Sequence, residues 1–218
     1  MSPDRPTDPP PSRPILMAGS SIFEQWPDVG RLHPTRPVVN AAIGGTQTHD
    51  WIDGPLVSEL RRHRPAALFF YCGSNNLSNG DSADLILAHT LALLRDAGAC
   101  VPGLRVFWGS ILRCREKEPR FADLDRINTT MAGLAASETP PPGLEPGGLI
   151  FVDFNPLFHE PAEDAGDAAP TPGDPGVQAG RLREELFVED QVHLTDAAYD
   201  RMTAHARPIL TAGIPADA

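Results

Sequence analysis

The chain is short of cysteine, short of positive charge and without a long apolar run, and each shortage narrows what it can be. Only three cysteines occur, Cys72, Cys100 and Cys114. They form an odd set without metal-type spacing, and read as reduced, mostly buried small side chains. Lysine and arginine number 18 against 29 aspartates and glutamates, a net charge of −11. Nucleic acid and anionic membrane surfaces are held by basic patches, so neither is an expected partner, and the acidity is read as a solubilising surface. No apolar stretch approaches the ~20 residues that cross a bilayer. The segment Met1 to Pro14 is Pro-rich and polar, with no apolar core of a signal peptide. The expected location is therefore the cytoplasm.

What is present suits one globular domain, with 218 residues of which 41% are hydrophobic. After a tail expected to be disordered over residues 1–13, a single domain is expected over 14–212. Five short runs are apolar almost throughout: Pro14 to Ala18, Val38 to Ile43, Ala66 to Tyr71, Leu104 to Trp108 and Leu149 to Phe154. Unbroken apolar runs of this length mark strands buried on both faces. Helical spacing lies between and after them, over Thr48 to Arg64, Ser82 to Ala97, Phe121 to Ala136 and Thr195 to Leu210, with a break expected at Gly54-Pro55. The alternation predicts an α/β fold of three α/β/α layers around a parallel sheet. Two stretches stand outside it. Thr139 to Gly148 reads as a loop, and Pro161 to Gly180, rich in Ala, Gly, Pro and Asp, reads as an insertion at the surface or over the substrate.

The first strand ends in Gly19-Ser20-Ser21. Such a turn can lift a hydroxyl to a helix start beside free backbone N–H groups, or can simply cap the helix. Three later places bear on that choice. Gly44-Gly45-Thr46 follows the second strand, where glycine lets a backbone N–H approach a ligand closely. Gly73-Ser74-Asn75-Asn76 follows the third, where an amide can donate. Asp190-Gln191-Val192-His193 precedes the last helix, and its three-residue offset lets a carboxylate reach and orient an imidazole. Acyl transfer by a serine needs these parts: a base, a carboxylate behind it, and donors for an oxyanion. The remaining histidines, His33, His49, His63, His89, His159 and His205, are scattered without a metal-ligand pattern.

In this order and spacing the motifs resemble those of the SGNH hydrolases, also called GDSL esterases and lipases, over Ile15 to about Leu210. The resemblance implies a flavodoxin-like sheet of five parallel strands and a serine esterase with no metal or organic cofactor. It implies Ser21 as nucleophile with His193 and Asp190 completing a triad, and Ser21, Gly45 and Asn75 as the oxyanion hole. Ser20 is the rival nucleophile one residue out of register. The literal Gly80-Asp81-Ser82, lacking a strand directly before it, is read as a turn and helix cap, and Cys72 as packing. The implied substrate is a small-molecule or glycan ester, with a mild preference for short acyl groups. An acyltransferase using the same triad, or an impaired ester- or glycan-binding domain, is the alternative. One departure concerns the third block, where the family's Gly-x-Asn-Asp is here Gly73-Ser74-Asn75-Asn76. An amide thus stands where the family carries a carboxylate. Oligomeric state is left open.

Overall fold

The computed structural model describes residues 12–52, 54–160 and 180–214. The predicted apolar runs form five strands: β1 (Ile15–Gly19), β2 (Val38–Asn40), β3 (Ala67–Tyr71), β4 (Arg105–Gly109) and β5 (Leu149–Val152). They lie in the order β2-β1-β3-β4-β5, and every neighbouring pair is parallel. That is the doubly wound arrangement in which the chain reverses its direction of travel beside the first strand. Residues of β1 and β3 are buried throughout, because both faces of the central strands are covered.

Helices α1 (Ser21–Glu24), α2 (Pro55–His63), α3 (Ser74–Ser78), α4 (Ala83–Cys100), α5 (Phe121–Ala136) and α6 (Asp196–Gly213) complete the frame. Alternate strand residues sort into two cores. Ile15, Met17, Phe69, Tyr71 and Phe107 pack with α1 and α6. Leu16, Ala18, Leu68, Phe70 and Trp108 point the other way, to α2, α4 and α5. The break expected in the Thr48–Arg64 segment is present: a 3₁₀ turn over Thr48–Trp51 gives way to α2, with Gly54 at its N-cap and Pro55 opening it. Ser82 caps α4, its Oγ accepting from Leu85 N at 3.3 Å, and Thr195 caps α6 through Ala198 N at 3.4 Å. Helix α6 runs on through Pro208 to Gly213, beyond the expected end.

Strand ends differ from the apolar runs for local reasons. Strand β2 is shorter than its apolar run, and at its end the Asn40 side chain bonds backbone groups of its own loop and of α1. Asn40 Oδ1 accepts from Ala42 N at 3.1 Å, and Nδ2 donates to Phe23 O at 2.7 Å. The chain still follows β1, with Ala41 N bonding Met17 O and Ile43 N bonding Gly19 O. Strand β5 gives way after Val152, where Ser110 Oγ accepts from Phe154 N at 2.8 Å. The tail over 1–13 and the insertion over 161–180 fall, except for residues 12, 13 and 180, outside the described residues. Arg13 donates to the carbonyls of Arg64 and Pro65, which ties the chain down ahead of β1.

Candidate active site

Ligand sites in such sheets form at the carboxyl ends of the strands, beside the switch in strand order. Here the chain leaves β1 through Gly19, at φ +130°. A Cβ there would collide with the Tyr71 carbonyl, because Ser20 N donates to that same oxygen at 2.9 Å. Only glycine lets the end of β1 lie so close to the end of β3 while turning away. Ser20 takes the N-cap position of α1 without a side-chain cap bond and is 1% exposed. Ser21, the first helical residue, is half-buried and faces the cleft.

His193 Nε2 lies 2.9 Å from Ser21 Oγ, and His193 Nδ1 lies 2.6 Å from Asp190 Oδ2. A carboxylate only accepts, so Nδ1 carries the proton and Nε2 is left to accept from Ser21. The Asp190 carboxylate is itself held by its own loop, with Oδ1 accepting from Val192 N at 2.9 Å and His193 N at 2.8 Å. Burial pushes the carboxyl up, but the bonds from the His193 ring and the two backbone N–H groups outweigh it and hold it down to about 2. The turn needs a left-handed residue, and Gln191 supplies it at φ +58°. An antiparallel bridge between Phe187 and Leu194 closes the loop below.

Ser21 and His193 belong to elements far apart in the chain, and two buried bonds lock those elements together. Tyr199 OH, in the first turns of α6, donates to Ile22 O at 2.9 Å, and Trp26 Nε1 donates to Thr203 Oγ1 at 3.0 Å. Around them Phe23, Trp26, Phe69, Phe154 and Tyr199 pack ring against ring. Sequence reasoning did not find these ties, since nothing local pairs Tyr199 with Ile22. A 3.6-residue spacing places Tyr199 on a buried face but names no partner.

The loops after β2 and β3 meet at Thr46. Its Oγ1 donates to Ile43 O at 2.8 Å, lies 3.3 Å from Gly19 O, and accepts from Trp51 Nε1 at 3.0 Å. Its carbonyl accepts from Asn75 Nδ2 at 2.9 Å and from Cys72 Sγ at 3.6 Å. Asn75 is thereby oriented with one amide hydrogen committed and the other free for the cleft. Among the described residues, the N–H groups of Ser21 and Gly45 meet no protein acceptor. Gly45 stands at φ +77°. Cys72 is fully buried, and burial pushes its thiol up to about 12, which leaves it neutral packing.

Asn76, the departure from the resembled pattern, is 0% exposed and bonded through both its oxygen and its nitrogen. Its Oδ1 accepts from Thr48 N at 2.9 Å, and its Nδ2 donates to Asp81 Oδ2 at 2.8 Å. Asp81 of the Gly80-Asp81-Ser82 tripeptide thus supports this loop while Ser82 caps α4. His49 lies away from the cleft lining beside Asp50. Ser21, Gly45, Asn75 and His193 line one open cleft of about 300 Å³. Among the described residues no group of acidic, histidine or cysteine side chains could hold a metal ion.

The chain matches the model of the GDSL-like lipase/acylhydrolase family over residues 16–201. No curated protein matches it in sequence. Several solved structures are similar. A Streptococcus pneumonia protein named for platelet activating factor is 20% identical with a TM-score of 0.66, over 91% of this chain and 84% of that one. A carbohydrate esterase family 3 protein from Talaromyces cellulolyticus is 16% identical with a TM-score of 0.61, over 90% and 95%. A lipolytic G-D-S-L family protein from Veillonella parvula DSM 2008 is 15% identical with a TM-score of 0.63, over 89% and 96%. At these identities the likeness is one of fold.

Proposed function

The chain belongs to the GDSL-like lipase/acylhydrolase family and is a serine ester hydrolase, and from that premise we propose that it cleaves carboxylic esters of short acyl groups through Ser21, His193 and Asp190. The observation that carries this reading is the unbroken line of hydrogen bonds from Ser21 Oγ through both nitrogens of His193 to Asp190. As Ser21 Oγ attacks the ester carbonyl, His193 Nε2 takes its proton and Asp190 stabilises the imidazolium that forms. The new oxyanion is met by the N–H groups of Ser21 and Gly45 and by the free amide hydrogen of Asn75. Donors aimed at this oxygen are worth about 3–4 kcal/mol each in comparable sites. His193 then protonates the departing alcohol, and a water activated by the same imidazole releases the acid and restores Ser21.

A cleft of about 300 Å³ supports small acyl groups over long chains. The three free cysteines suit a reducing compartment, and we place the protein in the cytoplasm. No helix among the described residues is long and apolar enough to cross a membrane. The test is Ser21→Ala against a chain-length series of p-nitrophenyl esters. Turnover should fall by about 10⁴ or more, with the circular dichroism spectrum and melting temperature kept. Ser20→Ala should retain most activity, since Ser20 is 1% exposed and His193 Nε2 bonds Ser21 Oγ instead. Full activity in Ser21→Ala, with loss in Ser20→Ala, would overturn the assignment. Transfer of the acyl group to added alcohols in preference to water would make the enzyme an acyltransferase on the same residues.

A further inference from the structure

We infer that Glu24 makes this cleft selective for esters that carry an electropositive group, a hydroxyl or an ammonium, within a few bonds of the scissile carbonyl, and that it discriminates against anionic esters. The inference rests on the serine-esterase reading and adds the substrate class.

Glu24 closes the one-turn helix that Ser21 opens. At a spacing of three residues the two side chains leave the same face of the helix. The carboxylate runs back over the neighbouring loop, where a Cβ on Gly44 would collide with Glu24 Oε2. Gly44 thus has a different task from Gly45, whose Cβ would meet nothing within 4 Å and whose part is its left-handed backbone. The bare Gly44 leaves room for the Glu24 carboxylate one residue from the N–H that is placed to receive the carbonyl oxygen.

Among the described residues Glu24 is the only acidic side chain in the cleft lining, and no lysine or arginine accompanies it there. The Glu24 carboxylate forms no ion pair with a lysine, arginine or histidine among the described residues. The Asp190 carboxylate, by contrast, is occupied by three bonds and lies behind His193. Gln25 adds an uncharged amide to the same wall. A substrate bound with its carbonyl at Gly45 therefore presents its nearest substituent to an unpaired negative charge. At a separation near 6 Å in a wet cleft, one opposite charge is worth about three- to ten-fold in kcat/KM, and screening by salt erodes it.

The experiment compares acetate esters of matched size in the wild type and in Glu24→Gln. They are acetylcholine, its uncharged isostere 3,3-dimethylbutyl acetate, glycerol monoacetate, propyl acetate and the anionic acetoxyacetate. The readout is the ratio of kcat/KM within each enzyme. In the wild type acetylcholine should exceed its isostere by about three- to ten-fold at low salt, or glycerol monoacetate should exceed propyl acetate by about ten-fold through a hydrogen bond to the carboxylate. Acetoxyacetate should be the poorest substrate. In Glu24→Gln these ratios should collapse toward one, and acetoxyacetate should gain on the neutral esters. A cation preference alone assigns an ammonium substrate, and a hydroxyl preference alone assigns a polyol ester. Ratios that are the same in both enzymes, with turnover still dependent on Ser21, overturn this inference alone. Absence of turnover on every ester, or turnover unaffected by Ser21→Ala, overturns the esterase reading and this inference with it.

Discussion

Replacing Asn76 by Asp puts the family's carboxylate back into this chain, and the surrounding residues predict that it will be harmful. Asn76 is 0% exposed, and its amide donates to Asp81 Oδ2 at 2.8 Å. In Asn76→Asp that donor becomes an acceptor facing an acceptor. The Thr48 N–H keeps its partner, because Oδ1 is retained, so the damage is confined to the Asp81 side. Loss of a hydrogen bond to a charged group costs about 1.5–3 kcal/mol, and two carboxylates at contact distance add repulsion. A loss of about 2–4 kcal/mol at pH 7 is a large part of the ~5–15 kcal/mol that holds a domain. It corresponds to a melting temperature lower by about 5–15 °C.

The pH dependence has a defined sign. Two carboxylates that close share a proton in the folded variant, so a carboxyl of the pair titrates above its unfolded value. Its contribution is fully present below the ordinary carboxylate value near ~4 and is lost as pH rises through the folded value. The deficit against the wild type should therefore be smallest near pH 4.5 and widen toward pH 7. Urea unfolding followed by tryptophan fluorescence at both pH values measures it, with Asn76→Asp/Asp81→Asn as the companion. That double variant exchanges donor and acceptor and should recover most of the loss. A single variant as stable as the wild type at pH 7, or a double variant no better than the single, would refute the pairing.

Two further outcomes concern Thr46, in the loop after β2, and Asp190, in the loop before α6. Thr46→Val keeps the shape of the side chain but leaves Trp51 Nε1 without its acceptor and frees the loop from Ile43 O. Stability should fall by about 1–3 kcal/mol, and kcat should fall about 10–100-fold with little change in KM, while Thr46→Ser restores both. A stability loss with kcat intact would confine Thr46 to a structural part. Asp190→Asn should lower kcat by about 10²–10⁴ by holding His193 in the wrong tautomer. Because hydrogen bonds hold the wild-type carboxyl down to about 2, its stabilising contribution is present above its ordinary value near ~4 and is lost only as pH falls toward 2. An acid limb of the wild-type kcat/KM profile between pH 5 and 7 therefore belongs to another group, and its assignment to Asp190 by a matching shift in the unfolding profile would contradict the geometry.

The residues whose tasks were legible in the sequence are those whose signal is local. Strands β1 and β3 are readable because both faces are covered, so no polar residue interrupts Ile15–Gly19 or Ala67–Tyr71. The Gly54-Pro55 break, the Ser82 and Thr195 caps and the three-residue reach from Asp190 to His193 are equally local. Strand β2 is shorter than its apolar run, and what the Asn40 side chain at its end meets, Phe23 O, lies 17 residues away. The same holds for Thr46, whose carbonyl meets the Asn75 side chain 29 residues on. It holds also for Tyr199 and Trp26, which join α1 to α6 across 177 residues. An apolar pattern reports which way a side chain points and never which polar atom it will find there. Asn76 shows the consequence: beside the family pattern its amide looks like a defect, whereas beside Asp81 it is the one common residue of that shape that both accepts from Thr48 and donates to a carboxylate. Departures from a family motif are therefore better judged against the atom each one faces than against the motif, and here that atom sits in the tripeptide the chain uses for support.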